Sequence, residues 1–150
     1  MSILANRVFR IAAYVALDVV AVAAGMGVPI FPIFLGLAVG WFVPPFLRIR
    51  GPYTPGDLRA VLRAAVLTSA LTLIMMALIW LPTLRMLGDP TADIANFGMP
   101  LILYQPLSSF IGWIVLMVVI SPILQMLTTL FGCVLRCALL PGHAEEKAVA

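Results

Sequence analysis

The sequence predicts an all-α integral membrane protein, a four-transmembrane-helix bundle with both ends cytoplasmic. Three observations predict it. Hydrophobic residues make up 63% of the 150 and charged residues 10%, against ~45–50% and ~25% in a soluble domain. So few charges leave too little polar material to cover a water-facing surface. Apolar runs near the ~20 residues that a spanning helix needs recur along the whole chain, so the apolar excess is not one anchor on a soluble body. The third observation is where the cations fall, and it needs the spans first.

The first span is expected over 8–26 and the second over 28–47, joined by the turn signal Gly25-Met26-Gly27-Val28-Pro29. Pro29 and Pro32 interrupt the start of the second span and Pro44 and Pro45 its end, so it reads as Pro/Gly-broken. The third span covers 58–84. Thr54 reads as its N-cap, with Pro55 at the first helical position and Asp57 one turn in. The apolar stretch 99–140 is too long for one simple crossing. It divides into an irregular or re-entrant entry over 99–109 and a helix over 110–139, in which Pro122 removes a backbone donor. The polar tail 141–150 completes a single domain.

With the N-terminus inside, Arg7, Arg10, Arg48, Arg50, Arg59, Arg63, Arg136 and Lys147 are cytoplasmic and Arg85 alone is outside. That asymmetry obeys the positive-inside rule and predicts a multi-pass protein of the cell (inner) membrane. A cleaved signal peptide is the rival reading of the first span, with Ala21-Val22-Ala23 as its cleavage site. Asp18 in the middle of the apolar stretch counts against it. Arg48, Arg50, Arg59 and Arg63 are expected to meet lipid headgroups, each contributing about 1 kcal/mol near an anionic surface. The net charge is +3, but there is no basic run and no aromatic-basic interleaving, so nucleic acid is not an expected partner.

Small residues mark helix interfaces in lipid. Gly36 and Gly40 form a G-x-x-x-G, expected to pack the second span against the first or to join copies in a homo-oligomer or larger complex. Residues 27–43 and 98–115 share G-x-P, a second proline and a later Gly-Trp. A duplicated two-span unit would look like this; a chance match on an apolar background is the simpler account.

The polar residues inside the spans are the candidate site. Asp18 lies about 12 Å along a helix from Arg10, where an aspartate carries an insertion cost of about 2.5–3.5 kcal/mol. It should therefore face the bundle interior, hydrogen-bonded or protonated. Tyr14 is one turn away on the same face. The third span offers Thr68, Ser69 and Thr72 at similar depth, and the fourth carries Ser121, Gln125, Thr129, Gly132 and Arg136 at helical spacing. One arrangement brings Asp18, the third-span hydroxyls and Gln125 together centrally.

Enzyme chemistry is not expected. The chain has one histidine, in the tail, no second acid within a span and no phosphate-binding glycine loop. No cofactor is called for, since the eight methionines are scattered as packing residues. Cys133, Cys137 and His143 lack the usual zinc spacing, so no metal site is expected, and one continuous helix would hold the two thiols apart. Two functions stay open: an oligomeric channel or transporter for protons or small cations that uses Asp18, or a structural or accessory subunit of a membrane complex.

Overall fold

The computed structural model describes residues 7–24, 30–47, 49 and 54–139. The expectations for Arg48, Arg50, the turn at 25–29, His143 and the tail lie outside these residues, as do the side chains of Arg7 and Arg10. Every regular element among the described residues is helical. Helix α1 spans Arg7–Ala24, α2 Ile30–Phe46 and α3 Pro55–Trp80; α4 (Pro106–Val115) and α5 (Ser121–Leu139) are joined by a π turn over Leu116–Ile120. Two helical rods, Pro55–Gly88 and Pro106–Leu139, are long and apolar enough to cross a membrane.

The start of α3 follows its sequence signals. Asp57 N–H donates to Thr54 Oγ1 at 3.2 Å while Thr54 N–H donates back to Asp57 Oδ2 at 3.0 Å, a complete capping box with Pro55 in the first turn. Near its far end the helix tightens into a 3₁₀ segment, Leu81–Gly88. Pro82 has no N–H to give the Leu78 carbonyl, so the i−4 ladder cannot continue there.

Three expectations are corrected. Helix α2 is continuous rather than broken: Pro32 sits in its first turn, where N–H groups have no intrahelical acceptor, and Pro44 and Pro45 sit in its last. The fourth rod begins at Pro106, four residues before the expected Phe110, because proline's fixed φ suits the first helical turn. The irregular entry is therefore 99–105. It folds back on α4 through Ile102 N–H to Ser109 Oγ and Trp113 Nε1–H to the Pro100 carbonyl, both 2.8 Å. Gly98, at φ +95°, makes the bend that precedes it. The π turn has no counterpart among the expectations. Pro122 has no N–H for the Val118 carbonyl, and Ser121 N–H reaches Leu116, five residues back.

The third correction concerns the partner of Gly36 and Gly40. A Cβ on Gly36 would stand 2.6 Å from the Gln125 carbonyl, one on Gly40 would collide with the Thr129 carbonyl, and one on Gly132 would stand 2.5 Å from the Leu37 carbonyl. The glycine face of α2 is thus closed against α5, not against α1.

Hydrogen bonds fix the helix directions. Tyr14 meets Thr68 and Asp18 meets Thr72, an offset of 54 both times, so α1 and α3 run parallel. Thr128 meets Ile33 and Arg136 meets Trp41, an offset of 95 both times, so α2 and α5 run parallel. The duplicated unit would pair Gly40 with Gly112, an offset of 72. The two Gly-Trp pairs therefore lie about 35 Å apart in depth, which agrees with chance similarity.

Candidate functional site

The site is built in layers, one helical turn apart. Asp18 on α1, Thr72 on α3 and Ser121 on α5 are all fully buried. Thr72 Oγ1–H donates to Asp18 Oδ1 at 2.7 Å. One turn toward the Arg59 end of α3 lie Tyr14, Thr68 and Gln125. Gln125 Nε2–H donates to the Tyr14 hydroxyl at 2.9 Å, and that hydroxyl donates to the Thr68 carbonyl at 3.2 Å. Three helices are thus joined by one polar chain.

One turn the other way lie Val22, Met76 and Met117. They form a buried apolar cluster with Trp80, Phe110 and Ile114. Phe97, edge-on to Phe110 with ring centroids 5.0 Å apart, Ile94 and Met99 close the cluster from the segment that joins the two long rods. The polar layers are therefore sealed by hydrocarbon on the Arg85 side. On the opposite side the buried series continues from Gln125 through Thr129 and Gly132 to half-buried Arg136.

The satisfaction of these polar groups is incomplete. Asp18 Oδ2, Gln125 Oε1, Ser69 Oγ and Ser121 Oγ are buried without a hydrogen-bond partner, as is Trp80 Nε1 in the apolar cluster. Buried polar atoms normally have partners, and an unmet acceptor costs about 1–3 kcal/mol. Two acceptor oxygens and two hydroxyls in adjacent layers make an environment for a proton, a water or a small cation.

Of the residues singled out from sequence, Gln125 and Tyr14 meet at the Thr68 carbonyl, and Thr72 meets Asp18 one turn away; the Thr68 hydroxyl itself turns to its own helix, donating to the Ala64 carbonyl at 2.9 Å. Ser69 and Ser121 lie on the same buried stripes but outside the bonds. Thr129 Oγ1–H turns to its own helix, donating to the Gln125 carbonyl at 2.8 Å. Arg59 and Arg63 are exposed on α3. Cys133 packs with Val43 and Val61 in a second buried cluster.

No family model, curated protein or solved structure matches the chain. The site has to be read from its own chemistry.

Two contacts at the site go beyond the sequence expectations. Thr128 Oγ1–H donates to the Ile33 carbonyl at 2.9 Å, and Arg136 Nη1–H to the Trp41 carbonyl at 3.0 Å. Pro45 cannot donate to that Trp41 carbonyl, so Arg136 takes the place of the missing helical N–H. Its guanidinium also lies over the Trp41 ring, 5.5 Å from the centroid. The sequence does hold a signal for this contact: a proline four residues after Trp41 marks the carbonyl that some other group must cover.

Proposed function

We propose that this chain is a multi-pass protein of the cell (inner) membrane, crossing it four times with both ends cytoplasmic. Its surface supports this reading. Leu67, Leu78 and Phe42 are 71%, 68% and 66% exposed, while Asp18, Thr72 and Gln125 are fully buried. Apolar residues face outward and polar ones inward, the arrangement a hydrocarbon solvent favours. The parallel pairing of α1 with α3 and of α2 with α5 fits four successive crossings of alternating direction.

Within that frame, the function is transfer of protons or small cations, with Asp18 as the carrying group. The observation that carries this reading is Asp18 Oδ2, an unpartnered carboxyl oxygen in a buried polar layer beneath an apolar one. A proton or cation held there removes the uncompensated charge. Tyr14 and Gln125 connect the layer toward the arginine-rich side, and the Val22–Met76–Met117 layer closes it on the other. Such a closed site fits a transporter in an occluded state better than an open pore. The test is proton and cation flux in proteoliposomes, wild type beside Asp18→Asn. Loss of flux in a folded, inserted variant supports transfer; equal flux contradicts it.

A structural or accessory role is the second reading, favoured by one observation: the polar chain ties α1, α3 and α5 together. On that reading Asp18→Asn destabilises the bundle and no flux is seen in wild type.

A further inference from the structure

We propose that the groove between the start of α3 and the later turns of α5 holds one acyl chain of an anionic phospholipid, whose phosphate meets Arg59 and Arg63. The groove is about 280 Å³, lined by Leu58, Val61, Leu62, Leu130, Cys133 and Val134. Its lining is hydrocarbon almost throughout, which suits a fatty chain and offers nothing to orient a polar ligand. This site rests on the membrane reading given above.

The charges beside it select the headgroup. Arg59 and Arg63 follow the lining residues Leu58 and Leu62, about 100° further round the helix, so they stand outside the groove itself and would reach its rim through their long side chains. They are exposed and stand four residues apart, where like charges on a helix repel. No described acid offsets them, and the nearest, Asp57, is engaged by Thr54 N–H and by Thr54 Oγ1–H at 2.7 Å. A phosphate between the two arginines relieves that repulsion and accepts from both. A zwitterionic headgroup presents the same phosphate, but its own quaternary ammonium cancels the net charge and sets a third cation beside the two arginines, so the net attraction is lost. The groove then takes the chain while the arginines take the charge, and together they distinguish an anionic lipid from a zwitterionic one with the same tails.

The test is native mass spectrometry of the full chain in detergent, titrated with phosphatidylglycerol and phosphatidylcholine of matched chains. Wild type should retain phosphatidylglycerol preferentially, by roughly fivefold for each arginine. The double variant Arg59→Gln, Arg63→Gln should retain both lipids equally, and Val134→Phe, which narrows the groove, should lower retention of both. Equal retention by wild type, or a preference unchanged in the double variant, overturns the site. Displacement of the lipid by excess inorganic phosphate would assign the arginines to a free anion and also overturn it. Carbonate extraction of the membrane fraction is read in parallel. A protein released by carbonate contradicts the membrane reading itself; an embedded protein without lipid preference contradicts only the lipid site.

Discussion

Thr72 and Asp18 sit 54 residues apart in sequence and meet at 2.7 Å, fully buried, with the hydroxyl donating to Oδ1 and Oδ2 left unpartnered. The half-satisfied carboxyl is what distinguishes this layer from ordinary interhelical bonding. Such bonds average only ~0.6 kcal/mol in membrane proteins, whereas an acceptor left unmet in a dry interior costs about 1–3 kcal/mol.

That difference gives the first prediction. Thr72→Val keeps the shape of the side chain but strips Asp18 of its donor, and should destabilise the folded protein by about 1–3 kcal/mol. Thr72→Ser should be close to neutral. Unfolding in mixed micelles with a graded denaturing detergent measures both. A Val variant as stable as wild type would show that the bond contributes nothing to the fold.

The second prediction concerns the glycines. Gly40→Ala drives a methyl group into the Thr129 carbonyl, and backbone cannot yield as a flexible side chain can. A loss of about 1–3 kcal/mol is expected, with α2 and α5 separating first. Gly88, where an added Cβ would meet nothing within 4 Å, should accept alanine at little cost. The same unfolding assay decides. A stable Gly40→Ala protein whose particle mass changes would instead place the glycine face between copies.

Arg136 and Pro45 should be coupled although they share no direct bond. Arg136→Gln withdraws the donor that covers the Trp41 carbonyl, while Pro45→Ala restores the helical N–H that can cover it. In a double-mutant cycle, Arg136→Gln should therefore cost less in the Pro45→Ala background, by about 0.5–1.5 kcal/mol. Strict additivity would mean that the guanidinium acts only through the Trp41 ring.

The segment between the two long rods carries the pH prediction. Asp89 Oδ1 accepts from Thr91 Oγ1–H at 2.6 Å and from Thr91 N–H at 2.8 Å, and these two bonds hold its carboxyl below the ordinary carboxylate range. A depressed folded value means that its contribution is complete above the unfolded value of ~3.9. That contribution fades as pH falls through the lower, folded value. Thr91→Ala should raise the Asp89 titration midpoint toward the ordinary value, measured by carboxyl-carbon NMR. An unmoved midpoint would show that the turn does not persist in solution.

Much of this site is legible in the sequence because a polar residue within an apolar run costs so much unless it faces the interior. Asp18, Tyr14, Thr72 and Gln125 stand out as polar residues at helical spacing within apolar runs, and that spacing places each on an inward stripe. Helix starts at Thr54 and Pro106 are local events, written in the cap and the proline, though the apparent break over 99–109 masks the signal of Pro106. What local pattern cannot carry is the choice of neighbour. Gly36 and Gly40 announce a close contact equally well whether the facing helix is α1, α5 or a second copy. The answer lies in Gly132 and in the Thr128 and Arg136 bonds, about 95 residues away. The π turn likewise depends on how α4 and α5 accommodate Pro122, which the proline alone does not specify.

The measurement that tests the central claim most directly is proton and cation flux into proteoliposomes, wild type beside Asp18→Asn, with insertion and thermal stability checked for both. Transfer through Asp18 predicts gradient-driven flux in wild type and its loss in a variant that remains folded and inserted. Undiminished flux in Asp18→Asn, or a well-folded wild type that passes neither protons nor cations under any imposed gradient, would contradict it and make the carboxyl a structural group.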